Sequence, residues 1–222
     1  MVTPFDWQEG IGNRAQYIEG KLKQGAPVLA VSLESGILIY SRRRQSRKIF
    51  EIYDRLAFSA IGQHSDIEAL RNAAVEFAHQ EGFNRSEEDV TIQRVVTALS
   101  QPVKSAFGDF ATAPLVVRCL FAEVNTAAED DAFYVLDYDG DYILHHGFAL
   151  VTGSAESPKE VLAQLGSIKS DLQVPAARKT LAKIWESAVA EMEDLDPDLS
   201  EECLFIDRSD EREDRFRLLN EG

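Results

Sequence analysis

Residues 27–40 read PVLAVSLESGILIY, and residues 41–62 continue SRRRQSRKIFEIYDRLAFSAIG. The apolar run Val28 to Leu33 meets a second, Ile37 to Tyr40, across Glu34-Ser35-Gly36. Gly36 relieves the steric cost of the reversal, so this spacing predicts a β-hairpin. After a cationic cluster, Ile49, Phe50 and Ile52 and then Leu56, Phe58 and Ile61 keep the β pattern as far as Gly62. Beyond it the apolar period changes from 2 to 3.6, so four strands precede a helix.

Upstream, residues 9–24 set Ile11, Ala15, Ile18 and Leu22 at helical spacing, although Gly10, Gly12 and Gly20 each weaken a helix by roughly 1 kcal/mol. Residues 10–24 therefore read as a helix that needs neighbours, and residues 1–9 as an unpatterned, mobile arm. Downstream, Ile67, Leu70, Ala74, Phe77 and Ala78 share one helical face. Ser86 and three carboxylates at Glu87, Glu88 and Asp89 read as the start of a second helix, which Pro102 should kink or end. Strands are expected over Leu115–Val124, Phe133–Leu136 and Phe148–Val151, with a tight turn at Asp139-Gly140. Ser157-Pro158 opens a third helix and residues 175–192 form a fourth. The acidic run 192–202 reads as a solvated loop, Cys203–Ile206 as a last strand and residues 207–222 as a charged tail. The order predicts one α+β domain over residues 1–222, a four-layer αββα sandwich in which helix pairs cover two facing sheets.

Composition narrows the function classes. A formal net charge of −15 argues against a nucleic-acid partner bound through the overall surface. No apolar run approaches the roughly 18 residues of a spanning helix, and the start MVTPFDWQEG lacks a basic-then-apolar signal pattern, so no membrane role and a cytoplasmic location are expected. Cys119 and Cys203 fall inside apolar runs and read as buried thiols. His64 and His79 lie on a helix, and His145-His146 would alternate across a strand, so neither a metal site nor a cofactor is expected.

The stretches GAPVLAVSLESGILI and SRKIFEIYDRLAFSAIGQHSDIEALR together resemble the core signature of proteasome subunits, the α type of the bacterial complex above all. The likeness extends through PLVVRCLFAEV and FYVLDYDGDY to FALVTGS. It implies the sandwich of the N-terminal nucleophile hydrolases with an extra N-terminal helix. Enzymes of that fold use a Thr, Ser or Cys at the head of the first strand, with its own freed amine as base. Here that position is Ala26, followed by Pro27, and Arg42 stands where the supporting acid belongs, so no catalytic residue is expected.

The resemblance implies a gating subunit instead. Identical α subunits would form a ring on proteasome β subunits, and a AAA ATPase activator would dock its C-terminal tail between neighbours. The pocket positions correspond to Gly25, Lys48 and Gly62, where an ammonium suits a terminal carboxylate and glycines admit a backbone. Phe5, Trp7, Gln8 and Tyr17 correspond to the gate region. Tyr17 keeps the family's tyrosine, whereas Gln8 replaces its partner proline and Glu19 replaces the pocket arginine. Two other readings stand beside this one: a divergent, self-sufficient threonine-type peptidase built from a single kind of subunit, and an assembly protein with this fold and no protease partner.

Overall fold

The computed structural model describes residues 4–154, 157–190, 192, 198–209 and 215–219, with the backbone alone for residues 4 and 5. Helix α1 (Pro4–Leu22) leads into the hairpin of β1 (Val28–Leu33) and β2 (Gly36–Arg43), in which Leu29 stands opposite Tyr40 and Leu33 opposite Gly36. A Cβ on Gly36 would lie 2.0 Å from the Ile206 carbonyl oxygen, and its φ of +148° is one that side chains avoid. Then come β3 (Ile49–Tyr53), β4 (Leu56–Gly62), α2 (His64–Asn84) and α3 (Ile92–Gly108). Strands β5 (Val117–Glu123), β6 (Ala132–Leu136), β7 (Tyr142–His145) and β8 (Phe148–Val151) follow. Helices α4 (Lys159–Gly166) and α5 (Val174–Val189) precede β9 (Ser200–Asp207) and β10 (Phe216–Leu218).

Two antiparallel sheets result, ordered β10-β9-β2-β1-β8 and β3-β4-β5-β6-β7. Alternate residues of each strand supply different cores. Val28, Ala30, Ile37 and Ile39 meet Ile49, Ala57, Leu120 and Phe133 between the sheets. Leu29, Leu38 and Tyr40 face Leu181 and Trp185 of α5, while Phe58 and Phe121 lie under Ala74, Val95 and Leu99 of α2 and α3. Both faces of β1 and β2 are thus covered, which is why these strands are apolar at nearly every position. Cys119 and Cys203 are buried, beneath opposite helix layers. No helix among the described residues is long and apolar enough to cross a membrane.

Helix α1 closes one end of the central layer with Ile18 and Leu22, both fully buried; each such side chain contributes about 1.5–3 kcal/mol. It starts at Pro4, so residues 4–9, expected as a mobile arm, are helical, and it ends at Leu22 rather than 24. Proline suits a first helical turn and Asp6 answers the helix dipole there. Contact from the α3–β5 loop offsets the glycines: Arg14 donates to the carbonyls of Ala106 and Thr112, both at 3.1 Å, and lies over the Phe110 ring, whose edge occupies the space a Cβ on Gly10 would need.

Three further expectations change. The carboxylates at 87–89 form only a 3-10 turn, and α3 begins at Ile92, whose N–H donates to Glu123 on β5 at 3.0 Å. A carboxylate from a distant strand thus supplies the cap that the local sequence seemed to offer. Of the two outcomes expected at Pro102, a kink or an end, the end is not found: α3 runs on to Gly108 with Leu99 and Val103 buried on either side of the proline. Part of the expected charged tail is strand β10, and Arg208 is folded into the body of the protein.

Candidate functional site

The loop between β2 and β3 turns about Glu202. This carboxylate has no exposed side-chain surface; it accepts from the N–H of Lys48 at 2.9 Å and of Ile49 at 3.2 Å, and it pairs with Arg43 at 2.9 Å. Arg47 lies 3.7 Å from its other oxygen. Those bonds fix where Lys48 leaves the backbone. Its Nζ reaches the carbonyl of Ala26 at 2.6 Å. Burial pulls the Lys48 ammonium down to about 8, and the negative charge of Glu202 offsets part of that fall. An ammonium so placed is partly stripped of water, and among the described residues no carboxylate pairs with Nζ itself.

Gly25, Lys48 and Gly62 line one cavity of about 220 Å³, with Ile61, His64 and Ile67 completing its wall. A wider cationic groove of about 780 Å³, lined by Arg42, Arg43 and Arg44, adjoins it through Ala26 and Lys48. The glycines have an internal reason to be there. A Cβ on Gly62, at φ +135°, would sit 2.0 Å from the Val116 carbonyl oxygen, and one on Gly25 would sit 2.9 Å from Cβ of Ile61. Close packing of the chain on itself accounts for both residues, so their type is no sign of an approaching peptide.

The head of the first strand is occupied by bonding of another kind. The Pro27 carbonyl accepts from Ser41 Oγ at 2.7 Å and from Trp185 Nε1 at 2.9 Å. Arg42 stacks on Trp185 with its guanidinium carbon 4.5 Å from a ring centre and pairs with Glu186 at 3.0 Å. No hydroxyl or thiol belongs to residue 26 or 27, and the side chain at 42 is a cation held toward α5.

A family model described as proteasome subunit matches residues 21–196. The chain belongs to the proteasome subunit family. Proteins named proteasome subunit alpha resemble it throughout the core. That of Frankia casuarinae is 30% identical over 161 residues, 70% of this chain and 67% of the relative. That of Streptomyces coelicolor is 31% identical over 168 residues, covering 74% and 66%, and that of Sanguibacter keddieii 34% over 160 residues, covering 70% and 62%. The match therefore spans roughly two thirds of each relative's length. Within the proteasome subunit family the likeness is to the α type.

For an α-type chain the gate positions are the other region of interest. Trp7 and Tyr17 stand on α1, 53% and 52% exposed, and Gln8 is also exposed. The side chain of Phe5 lies outside the described residues. Gln8 and Tyr17 are separated by nine helical positions, about 13 Å along the axis, so a single proteasome chain does not bring them together. Glu19, at the position of the family's pocket arginine, accepts from Tyr138 at 2.9 Å and ties α1 to the turn after β6. The residue that sequence reasoning missed is Glu202. It closes the acidic run 192–202, read as a solvated loop, whereas β9 begins at Ser200 and pairs with β2, bringing Glu202 opposite Ser41 and beside the cationic loop.

Proposed function

We propose that this chain is the non-catalytic α subunit of a proteasome core particle, that identical copies form its outer ring over β subunits, and that the cavity at Lys48 receives the C-terminal tail of an ATPase activator. The observation that carries the reading is at the head of β1. Ala26 and Pro27 offer no nucleophile, and the Ala26 carbonyl is taken up by a hydrogen bond from Lys48 Nζ. The half-buried ammonium beside an open cavity supports the docking part, since a carboxylate brought there gains a charge-assisted bond in poor solvent.

The test is peptide hydrolysis by the purified chain, by the β subunit of the same organism and by the two co-expressed. No turnover is expected from this chain alone, and turnover by the combined assembly. Hydrolysis that persists through repurification of this chain alone would overturn the reading in favour of a self-sufficient peptidase.

A further inference from the structure

Lys48 borders both spaces at the head of β1, the cavity of about 220 Å³ and the groove of about 780 Å³. Its Nζ donates to the Ala26 carbonyl at 2.6 Å, and among the described residues no carboxylate pairs with it. The walls are of two kinds. Ile61 and Ile67 make part of the cavity apolar, whereas Arg47 and His64 also line it. His64 is the first residue of α2, so the positive end of that helix dipole borders the same space. Arg42, Arg43 and Arg44 line the groove beyond, together with Asp198. Of the other carboxylates nearby, Glu202 holds Arg43 and the N–H groups of Lys48 and Ile49, and Glu186 holds Arg42. The local balance is therefore positive, on a chain whose net charge is −15.

Such a place suits an amine that reacts as well as one that binds. Burial brings the Lys48 ammonium down to about 8 against the pull of Glu202. Near pH 7.5 about a quarter of the side chain is then uncharged, against roughly one part in a thousand for a lysine of ordinary pKa. The uncharged amine carries a lone pair beside an open cavity. Carbon dioxide is the electrophile that fits there. It is small and without charge, so it enters a partly dry, apolar-walled space at little cost. Its adduct is a carboxylate, the anion that neighbouring guanidiniums favour. An acyl group from a larger donor would end as a neutral amide, which has no use for those cations.

We infer that Lys48 is a carbon dioxide site, which takes up the gas on its amine as a carbamate and so places a carboxylate in the cavity. The nitrogen lone pair forms the N–C bond, one C=O electron pair moves onto oxygen, and the nitrogen passes one proton to water. Starting from the ammonium, two protons leave in all. The side chain thereby changes from a cation to an anion, and a receptor for carboxylates becomes a site that repels them. Carbon dioxide and the activator's tail therefore compete for the same nitrogen. That competition rests on the docking reading above, whereas the carbamate does not.

The test equilibrates the full chain, assembled with its β subunit, with isotopically labelled carbon dioxide and bicarbonate. Carbamates are trapped as ethyl esters with a trialkyloxonium salt and located by peptide mass spectrometry. Near pH 7.5 the label on Lys48 is expected to exceed that on any other lysine by about tenfold or more. At fixed dissolved carbon dioxide, the ratio of carbamate to free amine should rise about a hundredfold per pH unit below 8 and about tenfold above it, as the count of departing protons drops from two to one. A lysine of ordinary pKa keeps the steeper slope to about 10.5. Labelling of Lys48 no greater than that of the other lysines, or a slope without a break near 8, overturns the site. A fluorescent peptide of the activator's last residues should bind more weakly as carbon dioxide is raised at constant pH and ionic strength. Nitrate, a planar anion that cannot add to an amine, should not weaken it in place of bicarbonate. Binding indifferent to carbon dioxide, or weakened equally by nitrate, overturns the competition. A labelled Lys48 in an assembly that binds no tail peptide, with or without carbon dioxide, overturns the docking reading and leaves the carbamate standing.

Discussion

Lys48 takes its position from a carboxylate 154 residues away in sequence: Glu202 holds the backbone of Lys48 and leaves its ammonium over the cavity. Lys48→Ala is expected to leave assembly and basal peptide hydrolysis unchanged while ATPase-stimulated degradation falls sharply, because losing one partner of a partly buried charge pair costs roughly 2–5 kcal/mol of binding. Stimulated degradation at the wild-type level, with saturable tail-dependent binding, would show that the tail docks elsewhere. A pH series tests the same residue differently. A carboxylate tail binds the charged amine, and in the empty cavity that amine titrates at about 8, with Glu202, Arg47 and His64 as its charged or titratable neighbours. Tail affinity should be level below that pH and fall above it by up to about tenfold per pH unit, until the raised pKa of the bound state is passed. The slope should vanish in Lys48→Met, measured with a fluorescent peptide of the activator's last residues. Glu202→Ala is expected to act one step earlier, as a loss of stability of about 3–5 kcal/mol, since it leaves cations and two N–H groups without their buried acceptor. A shift in the urea midpoint of the assembled or isolated chain measures it.

Among the elements, the four-strand run from Val28 to Gly62 was legible because its signal is local: period-2 apolar residues and a glycine where the hairpin turns. Helix boundaries were not, and the reasons lie off the helices. The first turn of α3 is set by Glu123, and α1 survives three glycines because Arg14 and Phe110 join it to the α3–β5 loop. The cavity positions Gly25, Lys48 and Gly62 were legible through family likeness alone; why the glycines stand there became visible only with Val116 and Ile61 beside them. Helix α1 is also where the gate expectation must be recast, since residues 4–9 form its first turns. Deleting residues 1–9 would remove exposed Trp7 and Gln8 while sparing Arg14, Ile18 and Leu22, which hold the helix to the body. Peptide hydrolysis by the αβ assembly should therefore rise with its thermal stability little changed. An unchanged rate would mean that this end of α1 does not obstruct entry.

At the scale of the molecule, the sandwich is closed at its two ends by different means. At the Ala26 end α1 plugs the central layer with Ile18 and Leu22. At the Leu33 end the closure is ionic. Asp131, just before β6 and fully buried, takes both guanidinium nitrogens of Arg208 at 2.7 Å, while Arg208 also donates to the Leu33 carbonyl at 2.7 Å and to that of Asn125. Arg208 follows a strand of one sheet and Asp131 precedes a strand of the other, so the pair joins the two layers at this end. The sequence conceals this, because Arg208 opens a mixed-charge stretch that reads as solvated and its partner lies 77 residues away. Arg208→Met keeps most of the side chain's bulk but strands a buried carboxylate, so a loss of about 3–5 kcal/mol is expected, with a fall in Tm on the order of 10 °C for a chain this size. Adding Asp131→Leu should restore only part of it. The carboxylate also accepts from Asn125 N–H at 2.8 Å and Ser32 Oγ at 2.5 Å; Ser32 keeps the Ala128 carbonyl at 2.9 Å, but leucine would leave the half-buried Asn125 N–H without its acceptor. Thermal unfolding of the two variants beside the wild type separates the cases: full recovery in the double variant would mean that the ion pair acts alone, and no loss in Arg208→Met would mean that the end of the sandwich is held by packing.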